Sequence, residues 1–245
     1  MDKYGLIGYP LKHSFSRDFF NTKFHSEGID AEYKNFEIPS IEEFKSILKR
    51  NPSLKGLNVT IPYKEQIIPY LDELSENAKL IGAVNVIKFV RNKNKLRLIG
   101  YNSDIIGFKN SIAPYLKEGD KALVLGTGGA AKAIYYGLKQ LKVQPQYVSR
   151  EKATDVLTYS ELTPEIIASH RVIVNCTPVG LYPNVDECPN IPYDFLTPQH
   201  LLYDLLYNPD QTLFMKKGMA KGAETVNGLE MLLLQAYASW DFWNE

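Results

Sequence analysis

Apolar and polar positions follow two alternating rhythms along the first hundred residues. A short apolar run at 4–8 predicts a buried strand, and 31–38 and 54–59 predict two more. Between the first two, Phe19, Phe20 and Phe24 recur at helical spacing, so 17–27 reads as a helix closed by Gly28. Ser40 stands three positions ahead of Glu43, which predicts a capping box, and Ile41, Phe44, Ile47 and Leu48 then mark an amphipathic helix. Residues 71–80 read as a further helix. Apolar stretches at 84–90 and 96–100 flank a basic turn from Arg91 to Lys95, the pattern of a hairpin.

The rhythm changes near Asp120. Compact apolar runs at 121–125, 146–149, 171–175, 201–205 and 223–226 alternate with helical patterns, the first an alanine-rich stretch at 128–141. Strands alternating with helices imply a parallel sheet with helices on both faces. The last segment, 229–243, is apolar almost all round, as befits a helix packed between surfaces, and is expected to return to the first domain. The fold class is therefore α/β. No internal repeat or heptad pattern interrupts it.

Composition narrows the function. At 245 residues and 44% hydrophobic, the chain has enough apolar mass for one large domain or two moderate ones. Lys plus Arg and Asp plus Glu both number 28, so no global charge favours nucleic acid or an anionic membrane. Two cysteines, Cys176 and Cys188, do not make a disulfide scaffold, and four scattered histidines lack metal-site spacing. No signal-like or bilayer-length apolar stretch is present, so the cytoplasm is the expected location.

Chemistry concentrates at strand ends. Gly126-Thr-Gly-Gly-Ala-Ala131 lies between the strand at 121–125 and the helix that follows, and fits G-x-G-x-x-A. Gly126 permits the tight turn, Gly128 lets backbone approach a pyrophosphate, and Ala131 allows close helix–strand packing. Gly129 and Ala130 contribute amides at the helix start. A methyltransferase loop has a similar appearance. The next strand ends at Ser149-Arg150, followed by Glu151 and Lys152. Arginine there favours the 2′-phosphate of NADP, with Ser149 and Lys152 assisting, whereas Glu151 keeps NAD open. Asn58-Val-Thr-Ile-Pro-Tyr-Lys64 follows the third strand and places a lysine among amide and hydroxyl groups, a setting suited to proton handling or anion binding.

These motifs, with Gly8-Tyr-Pro-Leu-Lys-His-Ser-Phe-Ser16, Gly82-Ala-Val-Asn85, Gly100-Tyr-Asn-Ser-Asp104, Asn175-Cys-Thr-Pro-Val-Gly180, Tyr203-Asp-Leu-Leu-Tyr-Asn-Pro209 and the run from Asn227 to Ala236, resemble the shikimate dehydrogenase family over essentially the whole chain. The resemblance implies a shikimate-binding substrate domain at 1–101 and 227–245 and an NADP-binding Rossmann domain at 102–226. It implies reversible oxidation of shikimate to 3-dehydroshikimate with NADP, with Lys64 and Asp104 as the proton-handling pair. Ser14 and Ser16 match the carboxylate-binding serines. Thr60, Asn85 and Gln235 match hydroxyl and carboxylate contacts, and Tyr207 a tyrosine near the substrate. Gly228 and Met231 match positions near the nicotinamide, and Thr177 a cofactor-side position.

The implied partners are small molecules, and the chain is expected to be a monomer or homodimer. Arg17, Ser103 and Ser149 depart from the family's usual proline, threonine and asparagine. The segment 150–172 is shorter than usual, and a further short helix is usual beyond Glu245. Two other readings remain: a relative that also oxidises quinate, with NAD or NADP, and a noncatalytic cofactor-binding regulator. Retention of Lys64 and Asp104 weighs against the latter.

Overall fold

The computed structural model describes all 245 residues except 12–14 and 94. The chain forms two compact units, Met1–Ser103 with Ala236–Glu245, and Asp104–Gln235.

The first unit runs β1 (Asp2–Gly8), α1 (Phe15–Ser26), β2 (Ala31–Glu37), α2 (Phe44–Arg50), β3 (Leu54–Val59), β4 (Glu73–Leu74), α3 (Glu76–Ile81), β5 (Val86–Asn92) and β6 (Lys95–Tyr101). Its sheet has the order β2-β1-β3-β5-β6-β4. β1 pairs in parallel with β2 and β3, whereas β3–β5 and the β5–β6 hairpin are antiparallel. Strand alternation sends Ile7, Leu57 and Ile87 into one core cluster and Leu6 and Val86 into another. The second cluster also takes Ala236 and Trp243 from the C-terminal helix. Gly56 leaves the seat for Trp243, because a Cβ there would collide with the indole, and the indole Nε1 donates to the Ile87 carbonyl at 3.1 Å.

Two local expectations change. The helix expected over 71–80 begins only at Glu76, capped by Ser75, whose hydroxyl accepts from the Ala78 N–H. Ahead of it the chain pairs along β6: Asp72 N–H donates to Leu98 O, and Leu98 N–H to the Asp72 carboxylate. The open edge of β6 outcompetes helix propensity, since unpaired backbone groups carry a large cost. The capping box at Ser40 does not form: Ile41–Glu43 closes as a 3-10 turn, and the Glu43 N–H that the box would use donates to the Ser40 carbonyl instead.

The second unit runs α4 (Asp104–Ile112), β7 (Lys121–Leu125), α5 (Gly129–Gln140), β8 (Gln144–Ser149), β9 (Val156–Thr158), α6 (Pro164–Ser169), β10 (Val172–Asn175), β11 (Leu201–Asp204), α7 (Leu213–Met219) and β12 (Glu224–Val226). The last helix, α8 (Leu229–Asn244), starts in this unit and ends in the first. The sheet is parallel throughout, in the order β12-β11-β10-β7-β8-β9. Its order reverses between β7 and β10, so the loops after these two strands stand at the topological switch point, where ligands of such sheets bind. The short segment after Arg150 still holds a three-residue strand, a 3-10 turn and the six-residue α6. Among the described residues no helix is long and apolar enough to cross a membrane.

Candidate active site

In the first unit, Lys64 follows β3 and is held by main-chain bonds. The Lys64 carbonyl accepts from Val84 N–H at 2.7 Å, and Val59 N–H donates to Asn85 O at 2.9 Å. Thr60 N–H donates to Ile7 O, and the Tyr63 ring is anchored through its hydroxyl to Ile38 O. Lys64, Thr60 and Asn85 are thereby brought to the same end of the β3–β5 pair. Lys64 is half-buried.

A buried polar network runs behind these residues. The Asn85 carboxamide accepts from Ser103 N–H at 2.7 Å and donates to Ser103 Oγ at 3.0 Å. Ser103 Oγ lies 3.1 Å from Ser239 Oγ, and Ser239 Oγ accepts from Asn58 Nδ2 at 3.0 Å. Asn58 Oδ1 accepts from the Tyr33 hydroxyl at 2.8 Å. Burial pushes the Tyr33 hydroxyl well up, while a Ser16 hydrogen bond pulls it the other way, which puts Ser16 at the far end of the chain of contacts. Ser239 and Tyr33 carry no motif signal. Ser239 sits among Ala236, Ala238 and Trp240 in a mostly apolar helix, and its polarity there is the one sequence signal it carries. Ser14 lies outside the described residues.

In the second unit, Asp104 is the first residue of α4 and is buried. Gly107 lets α4 approach α8 closely: a Cβ there would stand 2.6 Å from Met231 O and 2.9 Å from Gln235 N. The helix bearing Asp104 is therefore seated on the segment bearing Met231 and Gln235. Met231 is buried, and Gln235 Nε2 donates to Leu232 O in its own helix.

The glycine turn takes the expected form. Gly126 has φ +110°, where an L side chain is strained, and its N–H donates to Val148 O. Gly128 is the N-cap of α5, and a Cβ on it would meet open space. Ala131 is buried against the sheet. The exposed Arg150 follows β8 directly. Lys152 Nζ instead grips the Glu161 carboxylate at 2.6 and 2.8 Å. That carboxylate, which also takes the Thr158 N–H, is held down at about 2, with Lys152 the largest cause. Ser149 Oγ accepts from Glu151 N–H. These groups suit a dinucleotide: an open amide-lined turn and a guanidinium one strand away.

After β10, the Thr177 hydroxyl and N–H both donate to Asn175 Oδ1, at 2.6 and 3.0 Å. Tyr207 follows β11 and is partly exposed. Gly228 is obligatory, because a Cβ would fall on the Leu205 carbonyl oxygen; its N–H donates to Leu206 O.

A parallel sheet with a glycine turn at its switch point, joined to a mixed-sheet unit with a lysine at a strand end, defines an α/β protein of the two-unit dehydrogenase class. A model of the shikimate dehydrogenase substrate binding domain matches residues 6–87. A shikimate dehydrogenase (NADP(+)) of Aquifex aeolicus is 40% identical over 253 residues, 98% of this chain and 90% of the relative. The chain belongs to the shikimate dehydrogenase family. The structure of Thermus thermophilus shikimate 5-dehydrogenase in complex with NADP(H) and shikimate superposes with a TM-score of 0.86 at 28% identity, covering 99% and 93% of the two chains. A quinate dehydrogenase of Corynebacterium glutamicum in complex with NAD also reaches 0.86, at 26% identity over 99% and 93%.

Proposed function

We propose that this protein is an oxidoreductase that interconverts shikimate and 3-dehydroshikimate with NADP, a step of aromatic biosynthesis. The observation that carries the reading is the glycine turn at the switch point with Arg150 directly after the neighbouring strand. NADP supplies the hydride acceptor and, when reduced, the hydride donor. Gly126, Gly128, Gly129 and Ala130 would hold its pyrophosphate, Ser149 and Arg150 its 2′-phosphate, and Thr177, Gly228 and Met231 its nicotinamide side. Lys152 is engaged by Glu161, so Arg150 carries most of the phosphate selection.

The protein's own task is to bind the acid, orient one hydroxyl and manage one proton. Ser14 and Ser16 receive the substrate carboxylate, and Thr60, Asn85, Tyr207 and Gln235 its remaining polar groups. Lys64 hydrogen-bonds the oxygen whose carbon changes oxidation state. As that oxygen gains charge, the ammonium stabilises it and passes or takes the proton. Asp104 accepts a hydrogen bond at the substrate. We place the enzyme in the cytoplasm as a monomer or homodimer, with the substrate domain at 1–101 and 227–245 and the cofactor domain at 102–226.

The quinate-oxidising alternative draws on Glu151 beside Arg150 and on the likeness to the NAD-bound quinate dehydrogenase. Reduced-nicotinamide absorbance with shikimate and quinate, each against NADP and NAD, separates the readings. Activity confined to shikimate with NADP is expected. Comparable rates with quinate or NAD would assign the broader enzyme, and no turnover in any pairing would overturn the proposal.

A further inference from the structure

Asp204 ends β11 and is fully buried, and its carboxylate accepts hydrogen bonds from groups at the carboxyl end of the sheet. Oδ1 accepts from Asn175 Nδ2 at 3.0 Å and from Leu206 N–H at 3.1 Å; Oδ2 accepts from the Thr212 hydroxyl at 2.6 Å. Through Asn175 the carboxylate reaches Thr177, whose N–H and hydroxyl both end on Asn175 Oδ1. Through Leu206 it fixes the residue before Tyr207, and the Leu206 carbonyl in turn takes the Gly228 N–H at 3.0 Å.

The loop after β10 also abuts the dinucleotide turn: a Cβ on Gly126 would stand 3.4 Å from Thr177 Cγ2 and 3.6 Å from the Cys176 carbonyl. One buried carboxylate thus ties together the Asn175–Thr177, Leu206 and Thr212 segments, the first of which abuts the glycine turn. Burial pushes this carboxyl up to about 6 in spite of its three donors. Ionising a carboxyl here works against that desolvation, and its three donors offset it only in part.

We propose that Asp204 is a positioning residue for cofactor binding, whose carboxylate holds the Thr177, Tyr207 and Gly228 segments in the arrangement that receives the dinucleotide. It touches neither cofactor nor substrate; it acts through Asn175 and the Leu206 main chain. The inference rests on the NADP reading above.

The test titrates NADPH fluorescence against the full chain without shikimate, for the parent, Asp204→Asn, Thr212→Val and Thr212→Ser. Asparagine keeps the shape but offers one acceptor oxygen to three donors. The NADPH dissociation constant is expected to rise about tenfold or more in Asp204→Asn, the scale of one lost charged hydrogen bond. Thr212→Val should weaken binding in the same direction, and Thr212→Ser should restore the parental value. In initial rates the KM for NADP should rise more than that for shikimate. A dissociation constant for Asp204→Asn within about twofold of the parent overturns the inference. If that variant does not fold, equal affinities for the valine and serine variants overturn it. A parent that binds no NADPH overturns the underlying reading and the inference together, so the two failures are distinct.

Discussion

Ser239→Ala tests whether the buried network behind Lys64 and Asn85 is held by the C-terminal helix. Ser239 is fully buried, and its hydroxyl bridges Asn58 Nδ2 at 3.0 Å and Ser103 Oγ at 3.1 Å. Alanine removes both bonds and adds no atom. Each net hydrogen bond contributes about 1 kcal/mol, and a stranded buried donor adds its desolvation cost. Asn58 Nδ2 keeps its second acceptor, Asn85 O at 3.2 Å, and Ser103 Oγ keeps the Asn85 donor, which limits that addition. The expected loss is about 2–3 kcal/mol. For a chain of this size that lowers the melting midpoint by about 5–10 °C. The assay is intrinsic tryptophan fluorescence, because both tryptophans, Trp240 and Trp243, lie in the first unit and report on it alone. The double variant Ser103→Ala with Ser239→Ala should lose about 1 kcal/mol less than the sum of the singles, the sign of direct contact. A midpoint within about 1 °C of the parent would refute the bridge.

Other variants probe the proposed chemistry. Lys64→Ala should lower turnover by about 10²-fold to 10⁴-fold with the fold intact by circular dichroism; near-normal turnover would sink the lysine assignment. Arg150→Ala should raise the KM for NADP far more than that for NAD, and equal effects would rule out 2′-phosphate recognition by this residue. Asp204 adds a pH signature. Its folded value, about 6, lies above the ordinary 3.8, so the native state binds the proton more tightly than the unfolded chain. The stability it confers is complete below about pH 4 and is lost as pH rises through about 6, a change of about 3 kcal/mol. Urea unfolding should therefore show Asp204→Asn gaining on the parent by about that amount between about pH 4 and pH 7; parallel pH profiles would contradict it.

The central strands were legible because they are buried along most of their length and read as largely apolar runs with turn residues at their ends; 121–125 and 54–59 coincide with β7 and β3 residue for residue. The glycine turn was legible because only glycine accepts the φ of +110° at position 126. Local signals failed where a distant backbone competed for the same groups. Leu71 and Leu74 have helical spacing, but β6 offers open hydrogen bonds to the segment between them. Lys152, expected to assist Arg150 at a 2′-phosphate, also pairs with Glu161, nine residues on. Ser239 and Asn58 are 181 residues apart, and nothing in the local pattern of either announces the other.

The two units use the same device: an asparagine at or next to a strand terminus. Asn175 accepts Thr177 N–H and donates to Asp204. Asn85 accepts Ser103 N–H and donates to Ser103 Oγ. Asn58 accepts the Tyr33 hydroxyl and donates to Ser239 and to the Asn85 carbonyl. A backbone N–H can meet only an oxygen, so Thr177 and Ser103 fix which way the first two amides face. The short side chain then carries a donor and an acceptor on one rigid plane, and each end is used. Aspartate has the same shape but no donor. At Asn175 it would set a second carboxylate against Asp204, and the two could not both ionise at the distance the amide bond now spans. The requirement is thus for the amide itself. It explains why Asn58 and Asn175 stand in the strands that lead to Lys64 and Thr177, where apolar packing could hold the strands but could not aim the loops that follow them.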